Sequence, residues 1–348
     1  LIAFTSGTTG EPKGTLHFHS DALAICDSFA RYLMRIVPGD LVAGSPPLAF
    51  TFGLGGLLLF PLRFGAACFL MERASPPELA EAIERFRLTT IFTAPTAYRA
   101  MTELSARHDF SSLKECVSAG EHLPAAIFEG WRKATGNRII DGIGSTEMLH
   151  IFISSSGDAV RPGATGKPIP GYRAEIVDGE MRPVPVGETG RLAVRGPTGC
   201  RYLANPVQQA KYVRDGWNLT GDAYRRDEDG YYWYQARTDD MIISSGYNIA
   251  GPEIENVLLE HPKVKECAVV GAPDAERGEI VKAFVVLRDA AEAGEALTRA
   301  LQNFVKAEIA PYKYPRAIEY IDALPRTETG KVQRFRLRQR ERERFGRS

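Results

Sequence analysis

Between Asp40 and Arg161 short apolar runs alternate with stretches of helical period, and this alternation narrows the fold more than any other feature of the chain. Leu41-Val42-Ala43 reads as a strand running into Pro46 and Pro47. Ser75-Pro76-Pro77-Glu78 is a capping box with proline at the first helical position, after which Leu79, Ile83 and Phe86 share one face. Thr89-Thr90-Ile91-Phe92 is the strand that follows. A second cycle has a helix from Ala125 to Lys133, then Arg138-Ile139-Ile140 as a strand ending at Asp141-Gly142. Such alternation predicts α/β layering, with polar loops collected at the strand ends where these sheets bind ligands.

Near Arg161 the rhythm changes. Gly163, Gly166, Pro168, Pro170 and Gly171 punctuate short alternating segments such as Arg173 to Val177, Arg191 to Arg195 and Tyr231 to Tyr234. After Arg237 a third pattern begins, with a helix opened by Gly251-Pro252-Glu253 that packs Val257 and Leu258 below Ile254. Strands follow at Cys267 to Val270 and Ala283 to Leu287, then a helix from Glu295 to Ala307 and a last strand at Ala317 to Tyr320. A chain of 348 residues is long enough for more than one core. The expected fold class is α/β: a partial doubly wound sheet domain at residues 1–160, a small β-rich subdomain at 161–236, and a mobile α+β C-terminal domain at 240–348.

The front of the chain adds a chemical constraint. Thr5-Ser6-Gly7-Thr8-Thr9-Gly10-Glu11-Pro12-Lys13-Gly14 combines glycines that let backbone N–H groups face an anion with hydroxyls and a lysine that add donors and charge. In composition this is a phosphate-gripping loop. It is not the usual NTPase loop, because Pro12 precedes the lysine and Gly14 follows it. The preceding Leu1-Ile2-Ala3-Phe4 reads as a core strand buried on both faces, and a helix opened by Ser20 is expected to continue through Leu23, Phe29 and Leu33. Because the chain starts at Leu1 on what reads as a core strand, it reads as a piece of a longer protein, with an open sheet edge expected in the first domain.

With 43 basic against 43 acidic residues, the charge balance calls for neither nucleic acid nor an anionic membrane. The apolar neighbourhood from Phe50 to Leu62 contains Gly53, Gly55, Gly56 and Pro61, and reads as a buried loop and helix rather than a span. Cys26, Cys68, Cys116, Cys200 and Cys267 are scattered without metal-ligand spacing, which fits a reducing, cytoplasmic setting.

Further polar clusters fall at strand ends. Ser118-Ala119-Gly120-Glu121 places a glycine where a flat ring could approach the backbone, and a plain turn reads equally well. Asp141-Gly142-Ile143-Gly144-Ser145-Thr146-Glu147 delivers two hydroxyls and a carboxylate to one small region, suited to phosphate oxygens and a divalent cation; a capped helix start is the bland reading. Asp222, after Thr220-Gly221, can accept two ribose hydroxyls, and Arg237, before Thr238-Asp239-Asp240, can offer several donors, although each would also serve as a solvated surface residue. Pro325-Arg326-Thr327-Glu328-Thr329-Gly330-Lys331 sets a lysine in a polar loop from which it could reach developing negative charge.

Taken in order, these motifs resemble those of the adenylate-forming superfamily of acyl- and aryl-CoA synthetases, peptide-synthetase adenylation domains and firefly luciferases, and the resemblance runs over essentially the whole chain. It implies that Thr5, Ser6, Gly7, Thr8, Thr9, Gly10 and Lys13 wrap the β- and γ-phosphates of ATP, and that Gly120 and Glu121 line the adenine. Asp141 joins the nucleotide-binding set, Thr146 contacts the α-phosphate and Glu147 holds Mg2+. Asp222 binds the ribose, Arg237 supports ribose and phosphate, Asp239 is the hinge of the last domain, and Lys331 bridges the substrate carboxylate and the α-phosphate.

Within the superfamily, Pro46 to Gly56, Asp141 to Phe152 and Ala310 to Arg316 are similar to benzoate and 2-aminobenzoate CoA ligases. That likeness implies a flat apolar pocket lined by Phe52, Gly144 and Ile151 with His150 near the ring edge, and coenzyme A as co-substrate. Benzoate-type members usually carry tyrosine at the Phe52 position and lysine at the Ile243 position, which leans the expectation toward 2-aminobenzoate. The expected partner is a small aromatic carboxylate, with neither nucleic acid nor membrane, and a dimer is compatible with the pattern. Two alternatives stand beside this: an adenylation domain that loads a carrier protein, and a nucleotide-binding fragment that does not turn over. The Arg-rich tail, Arg334 to Arg344, reads as a solvated terminus with diffuse affinity for CoA phosphates.

Overall fold

Each strand of the central sheet sends neighbouring residues to opposite faces, and that period sets the architecture. In the computed structural model, which describes residues 1–6, 12–326 and 332–346, the chain forms two compact units: Leu1–Thr220 with Tyr224–Tyr234, and Gly221–Ala223 with Gln235–Ser348.

The first unit opens on a hairpin of β1 (Ile2–Ser6) and β2 (Pro12–Leu16). This corrects the expectation of a strand buried on both faces of the main sheet, since among the described residues β1 pairs only with β2. Ala3 faces the interior while Phe4 is 60 % exposed, because a two-stranded ribbon covers one face only. The next helix also differs from its expected form. It starts at α1 (His19–Ile25), where the Asp21 carboxylate accepts the Phe18 N–H, and runs through a π-helical turn at Cys26–Ala30 into α2 (Arg31–Leu33). The wider turn resets the buried face to Ile25, Cys26, Phe29 and Ala30 and leaves Leu23 exposed.

The elements that follow are β3 (Leu41–Gly44), α3 (Thr51–Leu54), a second π-helical turn (Gly55–Leu59), α4 (Phe60–Phe64), β4 (Ala67–Cys68), α5 (Pro76–Phe86), β5 (Thr90–Thr93), α6 (Pro95–Leu104), β6 (Glu115–Ala119), α7 (Ala125–Thr135), β7 (Ile139–Gly144), β8 (Ile151–Ser154) and β9 (Lys167–Pro168). They build one sheet in the order β4-β3-β5-β6-β7-β8-β9, parallel as far as β7 and antiparallel after it. The α5 helix begins as its capping box requires, with Glu78 accepting the Ser75 N–H at 3.1 Å. Val42, Phe92, Val117 and Ile140 face a core that includes Phe29 and Phe60, whereas their neighbours Ala43, Ile91, Cys116 and Ile139 face one built from Leu79, Ile83, Tyr98 and Trp131. The sheet is therefore covered on both sides, as a doubly wound sheet must be. The strand order switches sides between β3 and β5, the place where sheets of this kind receive ligands at their carboxyl ends.

A second sheet takes β10 (Arg173–Val177), β11 (Thr189–Arg195), β12 (Val213–Arg214), β13 (Trp217–Arg226) and β14 (Tyr232–Arg237) in the order β10-β11-β13-β12, with β14 on β13, all in the first unit except Gly221–Ala223 of β13 and the end of β14; α8 (Pro206–Tyr212) lies between β11 and β12 in the chain.

The second unit holds β15 (Ile242–Ser244), β16 (Tyr247–Ile249), α9 (Gly251–Glu260), β17 (Val264–Asp274), β18 (Gly278–Leu287), α10 (Glu295–Glu308), β19 (Ala317–Tyr320) and α11 (Arg334–Phe345). Its sheet runs β16-β15-β18-β17, with β19 parallel to β18, over a core of Ile242, Ile254, Leu258, Val269, Val285 and Leu301. The Arg-rich tail is not a solvated terminus. It forms α11, docked by ion pairs of Arg334 with Glu255, Arg338 with Asp240, and Arg340 and Arg344 with Glu319. Among the described residues no helix is long and apolar enough to cross a membrane.

Candidate functional site

The stem of the phosphate-type loop is the β1–β2 hairpin, in which Thr5 pairs with Lys13 and Ser6 with Pro12. Gly7, Thr8, Thr9 and Gly10 lie outside the described residues. Just past the stem, His17 Nε2 donates to the Thr146 carbonyl at 2.7 Å, so the hairpin is tied to the Asp141-to-Glu147 run.

That run ends β7 and turns into β8. Its glycines are needed because the strands approach closely: a Cβ at Gly142 would stand 2.6 Å from Ile151 Cγ2, and one at Gly144 would stand 2.7 Å from the His150 carbonyl. Ser145 then caps a single 3-10 turn, Thr146–Met148, by accepting the Met148 N–H at 3.2 Å. The turn presents Thr146 and Glu147 side by side. The Tyr202 hydroxyl donates to Glu147 Oε1 at 2.7 Å, and among the described residues nothing donates to Oε2. No group of three or more His, Cys, Asp or Glu side chains could hold a metal among those residues. A lone carboxylate with one free oxygen fits Mg2+, an ion that takes one or two carboxylates and fills its remaining positions with phosphate and water.

Asp141 pairs with Ser118 across β6 and β7. Burial pushes the Asp141 carboxyl up to about 7, against the opposing pull of Ser118 and the Gly142 backbone. Gly120, at φ +92°, turns the chain off β6, and Glu121 follows it. Asp141, Gly120 and Glu121 thus lie at the carboxyl ends of two adjacent parallel strands, next to the turn that carries Thr146 and Glu147.

Phe52 lies on α3, the helix that follows β3 in the chain. Its ring is 5.8 Å from that of His150, which also meets Phe60 at 4.7 Å and Phe29 at 5.3 Å. Gly55, in the π-helical turn, allows this approach, since a Cβ there would sit 2.4 Å from His150 Cδ2. His150 is 3 % exposed and both ring nitrogens lack partners, so burial drives its pKa down to about 3 and the ring is neutral at ordinary pH. Ile151 is buried next to it, and the Gly144 backbone passes close enough that a Cβ there would meet the His150 carbonyl at 2.7 Å. Phe52, Gly144, His150 and Ile151 are therefore brought together. Phe29, Phe60 and Phe92 complete the aromatic cluster and were not singled out from sequence, where an isolated phenylalanine carries only a core signal.

In the second unit, Arg237 Nη1 donates to Asp222 Oδ1 at 3.1 Å, and Arg237 Nε lies 3.8 Å from Asp239 Oδ1. Gly221, at φ +77°, makes room for that guanidinium, and its carbonyl accepts the Thr238 N–H at 2.9 Å. Lys331 lies outside the described residues. The chain on either side of its loop is closed by the bridge between Arg326 and Val332 and by the Gln333 N–H to Pro325 carbonyl bond at 2.8 Å. Arg326 pairs with Glu266, and Arg334 forms a two-pronged pair with the buried Glu255.

The profile of the AMP-binding enzyme family matches residues 1–202, and that of the AMP-binding enzyme C-terminal domain matches residues 253–331. The benzoate–CoA ligase of Thauera aromatica is 42 % identical over 96 % of this chain, which spans 64 % of that relative's length. The mitochondrial acyl-coenzyme A synthetase ACSM3 of Rattus norvegicus is 39 % identical over 98 % of the chain, which spans 60 % of it. The crystal structure of the anthranilate CoA ligase AuaEII in complex with anthranoyl-AMP superposes with a TM-score of 0.92 at 41 % identity, covering 98 % of this chain and 67 % of that one. A doubly wound sheet with a glycine-, hydroxyl- and carboxylate-bearing turn at its strand ends, matched over nearly its whole length by these relatives, makes this chain a member of the AMP-binding enzyme family.

Proposed function

We propose that the protein is an ATP-dependent aromatic-acid–CoA ligase that forms an aryl-adenylate and then an aryl-CoA thioester, releasing pyrophosphate and AMP, with 2-aminobenzoate or benzoate as its acid. The observation that carries this reading is the neutral His150 inside the Phe29, Phe52 and Phe60 cluster beside the Thr146–Glu147 turn. Such a site suits a flat ring whose carboxylate emerges toward phosphate-binding groups. The likeness to the benzoate and anthranilate CoA ligases supports it.

A carboxylate is a poor acyl donor because its leaving group would be oxide. Its attack on the α-phosphorus makes a mixed anhydride, and a thiolate then expels AMP. In the first unit, Thr5, Ser6, Gly7, Thr8, Thr9, Gly10 and Lys13 take the β- and γ-phosphates, Gly120, Glu121 and Asp141 the adenine side, and Thr146 the α-phosphate. In the second, Asp222 and Arg237 take the ribose, Asp239 serves as hinge, and Lys331 reaches the carboxylate during adenylation. Bound at Glu147, Mg2+ would offset the repulsion of the phosphates. The chain divides into residues 1–160, 161–236 and 240–348 and works in the cytoplasm; the separate sheets of β10–β14 and β15–β19 support that division, although β9 joins the first sheet.

The test is a panel of carboxylates assayed with ATP and CoA on the intact protein. Turnover of 2-aminobenzoate or benzoate far above octanoate is expected. A preference for octanoate over every aryl acid overturns the pocket, and activity with a carrier protein but not with CoA overturns the thioester product.

A further inference from the structure

The groups proposed to meet the phosphates belong to separate parts of the chain, yet one side chain joins them. Arg201, Tyr202 and Leu203 run antiparallel beside β2 of the phosphate-loop hairpin: the Leu16 N–H donates to the Arg201 carbonyl at 2.7 Å, the Leu203 N–H donates to the Gly14 carbonyl at 2.8 Å, and Thr15 and Tyr202 form a bridge. Tyr202 is 8 % exposed. Its N–H donates to Gln209 Oε1 at 2.8 Å, its ring packs edge-on to Tyr212 at 5.8 Å, and its hydroxyl donates to Glu147 Oε1 at 2.7 Å. The side chain is held at its backbone, its ring and its hydroxyl.

We propose that Tyr202 is a positioning residue for Glu147: it fixes the carboxylate rotamer, leaves Oε2 for the cation, and locks that oxygen in register with the phosphate-loop hairpin. A phenol in this place does what the outer partners of metal ligands do elsewhere, orienting the ligand without touching the ion. The proposal rests on the reading of Glu147 as the Mg2+-side carboxylate, and the experiment separates the two. ATP binding to the intact protein is measured by titration calorimetry in EDTA and across a Mg2+ series, for the parent, Tyr202→Phe and Glu147→Gln. The phenylalanine keeps the ring contact with Tyr212, so the fold is preserved, and thermal melting checks it.

Tyr202→Phe should raise the Mg2+ concentration for half-maximal tightening of ATP binding about tenfold while leaving affinity in EDTA unchanged. Glu147→Gln should raise it at least as much, and Tyr202→Phe should add nothing in the Glu147→Gln background. If Glu147→Gln moves the Mg2+ dependence and Tyr202→Phe does not, the positioning role is overturned while the reading of Glu147 stands. If Glu147→Gln leaves the dependence unmoved, that reading falls and the proposal with it. Equal weakening of ATP binding with and without Mg2+ by Tyr202→Phe marks a merely structural residue and also overturns the proposal.

Discussion

A carboxyl whose pKa is about 7 shares its proton with water across the physiological range, and Asp141 reaches that state through burial. Its ordinary value is 3.8, so between about 4 and 7 the folded protein holds a proton that the unfolded chain has lost. Stability from this group is therefore greatest below about 4 and falls as pH rises through 7. Asp141→Asn removes the ionisation: melting should be unchanged at pH 4 and raised by about 5 °C at pH 8. An equal difference at both pH values would assign the effect to packing. His150 gives a second prediction. With its nitrogens buried and unpartnered, it can hydrogen-bond a ring substituent, which His150→Phe cannot do. The kcat/KM for 2-aminobenzoate relative to benzoate should drop about tenfold, the order of one hydrogen bond; an unchanged ratio would place the substituent elsewhere. In sequence Asp141 was legible as part of a strand-end run, and His150 only through the resemblance to benzoate-type ligases. Tyr202 was not, since its partner Glu147 lies 55 positions away and a lone tyrosine in a polar stretch has no local signature.

Elements were legible where an apolar period marks them. The strand-and-helix cycles from β3 to β7 declared themselves in this way, whereas α1 was misread because its π-helical turn breaks the 3.6-residue period that sequence reading assumes. The α11 helix was missed for a different reason. Its docked face consists of Arg334, Leu337, Arg338 and Glu341, so charges stand where apolar residues would announce a helix, and their partners Glu255 and Asp240 are 79 and 98 positions away. The helix is held by these ion pairs, by that of Glu341 with Lys282 and by Leu337, buried with Val270 and Phe284. Glu255, a buried acceptor bound also by the Val269 N–H, is the partner whose loss is tested. Glu255→Ala leaves Arg334 and the Val269 N–H without their shared acceptor and should cost about 3 kcal/mol in urea unfolding. Arg336→Ala, on the exposed side, should stay within about 0.5 kcal/mol. Equal losses would mean that α11 is not held by its charged face.

At the scale of the whole molecule, core residues divide as the chain does. Phe29, Phe92, Ile91 and Trp131 belong to cores made wholly within the first unit, and Ile254, Val269, Val285 and Leu301 to one made wholly within the second. A unit with its own sheet, helices and core has what cooperative folding requires. The Gly221–Ala223 segment is assigned to the second unit although it lies within β13, and its contribution includes the Asp222 partner of Arg237. That pair is partly exposed, so its loss should weaken the second unit without unfolding it. A polypeptide of residues 235–348 is therefore expected to melt cooperatively with mixed helix and strand in far-ultraviolet circular dichroism. In the whole chain, Asp141→Asn at pH 8 should shift one calorimetric transition and Glu255→Ala another. Each substitution changes a core or a docked helix that belongs to one unit alone. A disordered 235–348 polypeptide, or a single transition moved by both substitutions, would show that the two cores are thermodynamically one.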